Sequence, residues 1–85
     1  MNLKQLKIFC KIIEQKSFSR AAREVYLSQP TLTEHIKSLE AELNLKILDR
    51  LGREVVPTKA GEMLYHYAQK ILGLEKEARQ LPAAL

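Results

Sequence analysis

Ser28-Gln29-Pro30-Thr31-Leu32-Thr33 places four uncharged hydrogen-bonding side chains within six residues. Their chemistry is recognition and not bond making. The Gln29 amide can pair with adenine through N6 and N7, Thr31 and Thr33 can meet phosphates, base edges or a thymine methyl, and Pro30 can add apolar contact. Ser28 and the free amides of a helix beginning behind it would also favour a backbone phosphate. Charge enters only at Glu34 and Lys37, whereas an ordinary surface helix spreads Lys, Glu and Arg over its first turns. Around this stretch, Arg20, Arg23 and Lys37 are candidates for phosphate contact, as are Arg50 and Arg53. Arg53 follows Gly52 in a turn whose tip could reach a neighbouring minor groove.

Nothing comparable points to catalysis. His35 and His66 are far apart, Cys10 lies on an apolar helical face, and no second ligand follows at metal-site spacing. Glu40 and Glu42 read as a solvated helix face. No Ser, Cys or His set pairs a nucleophile with its base. No enzymatic activity, metal or cofactor is expected of these residues.

The recognition stretch needs elements to hold it. From Leu3 to Gln15, Leu3, Leu6, Phe9, Cys10 and Ile13 follow helical spacing. Ser17-Phe18-Ser19 offers hydroxyl caps for a short second helix whose inner face is Ala21, Ala22 and Val25. After a turn at Tyr26-Leu27-Ser28, a third helix starts near Gln29. There Pro30 costs little in the first turn, and the stripe Leu32, Ile36, Leu39 and Leu43 runs to a stop at Asn44. Ile47-Leu48-Asp49-Arg50 and Glu54-Val55-Val56 flank Leu51-Gly52-Arg53 as a small hairpin, ended by Pro57. Thr58 can cap a last helix running to about Leu81, with Pro82 beyond it. Ala60, Leu64, Tyr67, Ile71, Leu74, Ala78 and Leu81 alternate spacings of four and three, the seam of a helix that pairs with another helix. That seam is about 30 Å long at the helical rise, more than so small a domain covers, so a helix from a second copy is expected on it.

Composition sets the frame. Eighty-five residues make one domain, and 46% apolar with 28% charged residues is the balance of a folded soluble chain. The net charge of +4 is carried entirely by the first 37 residues, the part that holds the two-helix unit, which suits a polyanionic partner. Cys10 is the only cysteine, so no intrachain disulfide can form. With no signal-like or spanning segment in the sequence, the expected location is the cytoplasm.

The chain resembles the N-terminal DNA-binding domain and linker helix of the LysR-type transcriptional regulators. The likeness is carried by Leu3, Leu6 and Phe9, by Ser17-Phe18-Ser19-Arg20-Ala21-Ala22, and by Leu27-Ser28-Gln29-Pro30-Thr31-Leu32-Thr33. It continues in Ile36-Lys37-Ser38-Leu39-Glu40, Leu48-Asp49-Arg50 and Thr58-Lys59-Ala60-Gly61. It implies a mainly α fold: a winged helix-turn-helix at residues 1–57, with three helices and a hairpin wing, then a linker and dimerisation helix at 58–85. It also implies a homodimer that places two recognition helices, about residues 29–44, on a partly palindromic double-stranded site. Gln29, Pro30, Thr31, Thr33, Glu34 and Lys37 would then meet the groove or backbone, with Arg53 on the wing. Family members usually continue into an effector-binding domain, absent from these residues, through which alone a small molecule would act. Two departures stand out. Glu34 occupies a position where many relatives carry arginine, so base preference is expected to differ. Pro57 stands where leucine is more usual, which stiffens the approach to the linker helix.

A different class of function would be a protein-interaction module in which the last helix is the working surface and the rest a scaffold. It would call for exposed apolar or aromatic anchors along the third helix, where the sequence instead has Gln, Thr, Glu, Lys and Ser.

Overall fold

The computed structural model describes residues 1–85, in the order α1 (Leu3–Gln15), α2 (Phe18–Val25), α3 (Gln29–Leu43), β1 (Leu48–Leu51), β2 (Glu54–Pro57), α4 (Lys59–Arg79) and α5 (Leu81–Ala84). Each of the first four helices opens on a side-chain cap. Asn2, Ser17, Ser28 and Thr58 accept from the amides of Gln5, Arg20, Thr31 and Gly61, satisfying donors that no helical carbonyl can reach. The first three close on residues in the left-handed region, Lys16, Tyr26 and Asn44, with φ of 56°, 58° and 53°.

Three helices and the hairpin enclose the main core, built around Phe9, Ile12, Leu32, Leu39 and Ile47, all fully buried. Ala21 and Ala22 give α2 a flat inner face, so α1, α2 and α3 approach closely. The buried face of α1 differs from the periodic set expected for it. Ile8 and Ile12 are buried, Leu3 is exposed and Ile13 only partly covered. The reason is that α1 is covered on two sides: Phe9 and Ile12 turn to the main core, while Leu6 and Cys10 meet Ala68 of α4 in a second cluster.

The strands pair antiparallel in a register running from Leu48 opposite Pro57 to Leu51 opposite Glu54. Gly52, at φ 61°, takes the first central position of the turn, the glycine-first pattern that suits a twisted hairpin. A two-stranded hairpin is marginal alone, and this one is anchored on both sides. The amide of Val55 donates to the carbonyl of Lys16 at 3.1 Å, and that of Thr58 to Ile47 at 3.1 Å.

At its start α4 is bound tightly. The Thr58 hydroxyl donates to the carbonyl of Lys46 at 2.6 Å, and a Cβ at Gly61 would collide with the carbonyl oxygen of Ile47. Gly61 therefore lets helix and wing base touch. Further along, the Tyr65 phenol donates to Glu14 at 3.1 Å and ties α4 to α1. Helix α4 ends at Arg79, two residues before the expected Leu81, and Pro82 sits in the first turn of α5, where its missing amide hydrogen costs nothing. No helix is long and apolar enough to cross a membrane.

Candidate nucleic-acid interface

The turn between α2 and α3 is held by its own backbone, with the Leu27 amide donating to Ala22 at 3.0 Å. This fixes where α3 begins. Ser28 Oγ accepts from the Thr31 amide at 3.3 Å and shares a hydrogen bond with Thr31 Oγ1 at 2.8 Å. Ser28 and Thr31 thus rigidify the first turn, while Gln29 and Pro30 beside them are exposed. Leu32, Ile36 and Leu39 fasten α3 to the core. At about 100° per residue, the opposite face carries Pro30, Glu34, Lys37 and Ser38, all exposed. Thr33 is half-buried at the edge of that face.

A cleft of about 360 Å³ separates α3 from the wing, and Thr33, Lys37, Lys46, Arg50 and Phe18 are among its walls. The guanidinium of Arg50 lies 5.5 Å from the centre of the Phe18 ring, so a cation–π contact draws it toward the body. Arg53 is at the exposed tip. Arg20 and Arg23 project from α2 on the side away from Ala21 and Ala22.

Ion pairing sorts the cations into two groups. Lys11 is held between Glu24 at 3.1 Å and Glu14 at 3.8 Å, and its hydrogen bond with Glu24 raises its pKa. Lys16 pairs with Glu54, Lys46 with Asp49 and Arg79 with Glu75. By contrast Arg20, Arg23, Lys37, Arg50 and Arg53 pair with no carboxylate, and neither do Lys4, Lys7, Lys59, Lys70 and Lys76 on α1 and α4. All five cations nominated from sequence are thus without an internal carboxylate partner.

Some positioning residues escaped sequence reasoning. Glu40 is no solvated carboxylate, because its Oε2 accepts from the Ile47 amide at 2.9 Å and ties the end of α3 to the base of the wing. Glu42 meets the amino-terminal ammonium of Met1. Phe18 and Lys46 were absent from the candidates. No local spacing announces these contacts, which span from seven to 41 residues of chain.

The apolar seam of α4 divides in two. Leu64 turns inward against both core clusters, beside Tyr65, Ala68 and Leu72. Tyr67, Ile71 and Leu74 are exposed, and Met63, which the heptad reading omitted, joins them. Together with Ala60 and Ala78 they occupy an arc of about 80° along α4. Leu81 lies past the end of that helix, in α5.

The model of the lysR family of bacterial regulatory helix-turn-helix proteins matches residues 3–62. The RuBisCO operon transcriptional regulator of Allochromatium vinosum is 39% identical over 71 residues, 84% of this chain and 24% of that protein. The nitrogen assimilation regulatory protein nac of Escherichia coli strain K12 is 43% identical over 72 residues, 85% of this chain and 24% of that one. The chain thus spans about a quarter of the length of these curated relatives. Among solved structures, the BenM DBD/benA site 1 DNA complex matches with a TM-score of 0.92 at 33% identity, covering 99% of this chain and 98% of that one. The CbnR DBD–DNA complex matches with a TM-score of 0.90 at 33% identity over the whole of both chains.

Proposed function

The chain belongs to the lysR family of bacterial regulatory helix-turn-helix proteins, and from that premise we propose that it is the DNA-reading part of a transcriptional regulator. Residues 1–57 bind double-stranded DNA sequence-specifically, and residues 58–85 join two copies on a partly palindromic site. The observation that carries this reading is the set of five unpaired cations, on α2, α3 and the wing, around a capped α3 whose first turn exposes Gln29 and Pro30. Unpaired charge suits phosphates, and short polar groups suit base edges.

In the proposed complex α3 lies in the major groove, with Gln29, Pro30, Thr33 and Glu34 toward the bases. Ser28 and Thr31 offer their hydroxyls, and Gln29 its free amide, to a phosphate. Lys37, Arg20, Arg23 and Arg50 meet backbone oxygens, and Arg53 reaches the adjacent backbone or minor groove. Met63, Tyr67, Ile71 and Leu74, with Ala60 and Ala78, form the contact between two α4 helices, and Leu64 and Leu81 flank it. The protein works in the cytoplasm, without catalysis, and a small-molecule effector would act through a further domain.

Titration of duplex DNA across salt concentrations tests this reading. The logarithm of the binding constant should fall linearly with that of salt, and Lys37→Ala should reduce the slope by about one. Binding indifferent to salt sinks the proposal.

A further inference from the structure

We propose that Glu34 is a base-reading carboxylate whose partner in the major groove is the N4 amino group of a cytosine. The inference rests on the DNA-reading role of α3 given above. Three carboxylates stand on α3. Glu40 is engaged by the Ile47 amide and Glu42 by the Met1 ammonium, but Glu34 has no donor and no cation within the molecule. Lys37, three residues on and on the same face, makes no ion pair with it. Glu34 is exposed near the middle of the face opposite Leu32, Ile36 and Leu39. One turn earlier stands Pro30, which has no amide hydrogen to give.

A face set against phosphates gains from its cations and loses from a carboxylate, which must shed water beside a polyanion. That loss is recovered only where the DNA supplies a donor, since an ionised carboxylate accepts and never donates. Thymine O4 and guanine O6 and N7 are acceptors and would oppose it. Adenine offers its N6 amino group with the acceptor N7 beside it, whereas cytosine offers its N4 amino group alone. Glu34 therefore admits cytosine and rejects guanine and thymine. Its contribution is as much exclusion as attraction.

The test selects binding sites from random duplex DNA with the 85-residue chain, Glu34→Ala and Glu34→Gln, after checking that all three unfold alike on heating. The unaltered chain is expected to select cytosine at one position of each half-site. Replacing that base by 2-pyrimidinone, which lacks the amino group, should weaken its binding roughly 5- to 150-fold. The salt slope should not change, because no phosphate contact is lost. The same replacement should leave Glu34→Ala binding unaltered, and that variant should tolerate all four bases. Glu34→Gln should shift the preference to adenine, whose N6 and N7 an amide meets together. If Glu34→Ala keeps the original preference, or gains affinity for every sequence alike, Glu34 merely repels the backbone. The inference is then overturned while DNA reading by α3 stands. An unaltered chain that selects no sequence overturns both.

Discussion

Gly61 is the residue at which the smallest change should do the most damage. Its α-carbon lies against the backbone of Ile47, so even a methyl group forces α4 off the wing base. Gly61→Ala, ordinarily a gain inside a helix, is expected to destabilise the chain by about 1–3 kcal/mol, the usual range for overpacking, read as a lower urea midpoint. Gly73, in the same helix, has open space around it, and Gly73→Ala should instead stabilise by about 1 kcal/mol. Cys10 offers a test by pH. Burial, with Glu14 adding and Lys11 opposing, pushes its thiol from 9.0 up to about 11. The fold thus favours the neutral thiol, whose contribution is complete below pH 9.0 and is lost as pH rises toward about 11. Urea midpoints should fall across that window, and less steeply in Cys10→Ala.

At the scale of elements, the caps govern where reading groups stand. Ser28→Ala removes the acceptor for the Thr31 amide and the partner of its hydroxyl. It should lower unfolding stability by about 1 kcal/mol, measured by chemical denaturation, with α3 fraying at the end that bears Gln29. Such starts were legible in the sequence, because caps, turn glycines and prolines act within a few residues of where they sit. Ser17, Ser28, Asn44, Gly52 and Thr58 all take the places their chemistry suggested. The facing of elements was less legible. Ile8 and Ile12 were missed because a helix covered on two sides has a wider stripe than one period describes, and Leu64 because a heptad does not say which of two neighbours a side chain meets. Glu40 and Phe18 gain their roles only when distant segments meet.

At the scale of the whole molecule, α4 carries an apolar arc on its outer side. The chain measures 49 × 26 × 18 Å, and Met63, Tyr67, Ile71 and Leu74 stand exposed along α4. Ile71→Lys places a charge in the proposed contact and should yield a folded monomer by ultracentrifugation with weaker DNA binding. Leu64→Lys should instead unfold the chain, because that side chain faces its own core. An Ile71→Lys chain that remains dimeric rules out this arc. The joint at residues 58–61 has a mechanical meaning as well. Thr58 grips Lys46 and Ile47, and Gly61 lies against Ile47, so the start of α4 is fixed to the base of the wing. In two chains joined along α4, the separation of the Arg53 tips follows from the angle at which the helices cross. In the proposed dimer the pair is a calliper whose span is set where the two α4 helices cross.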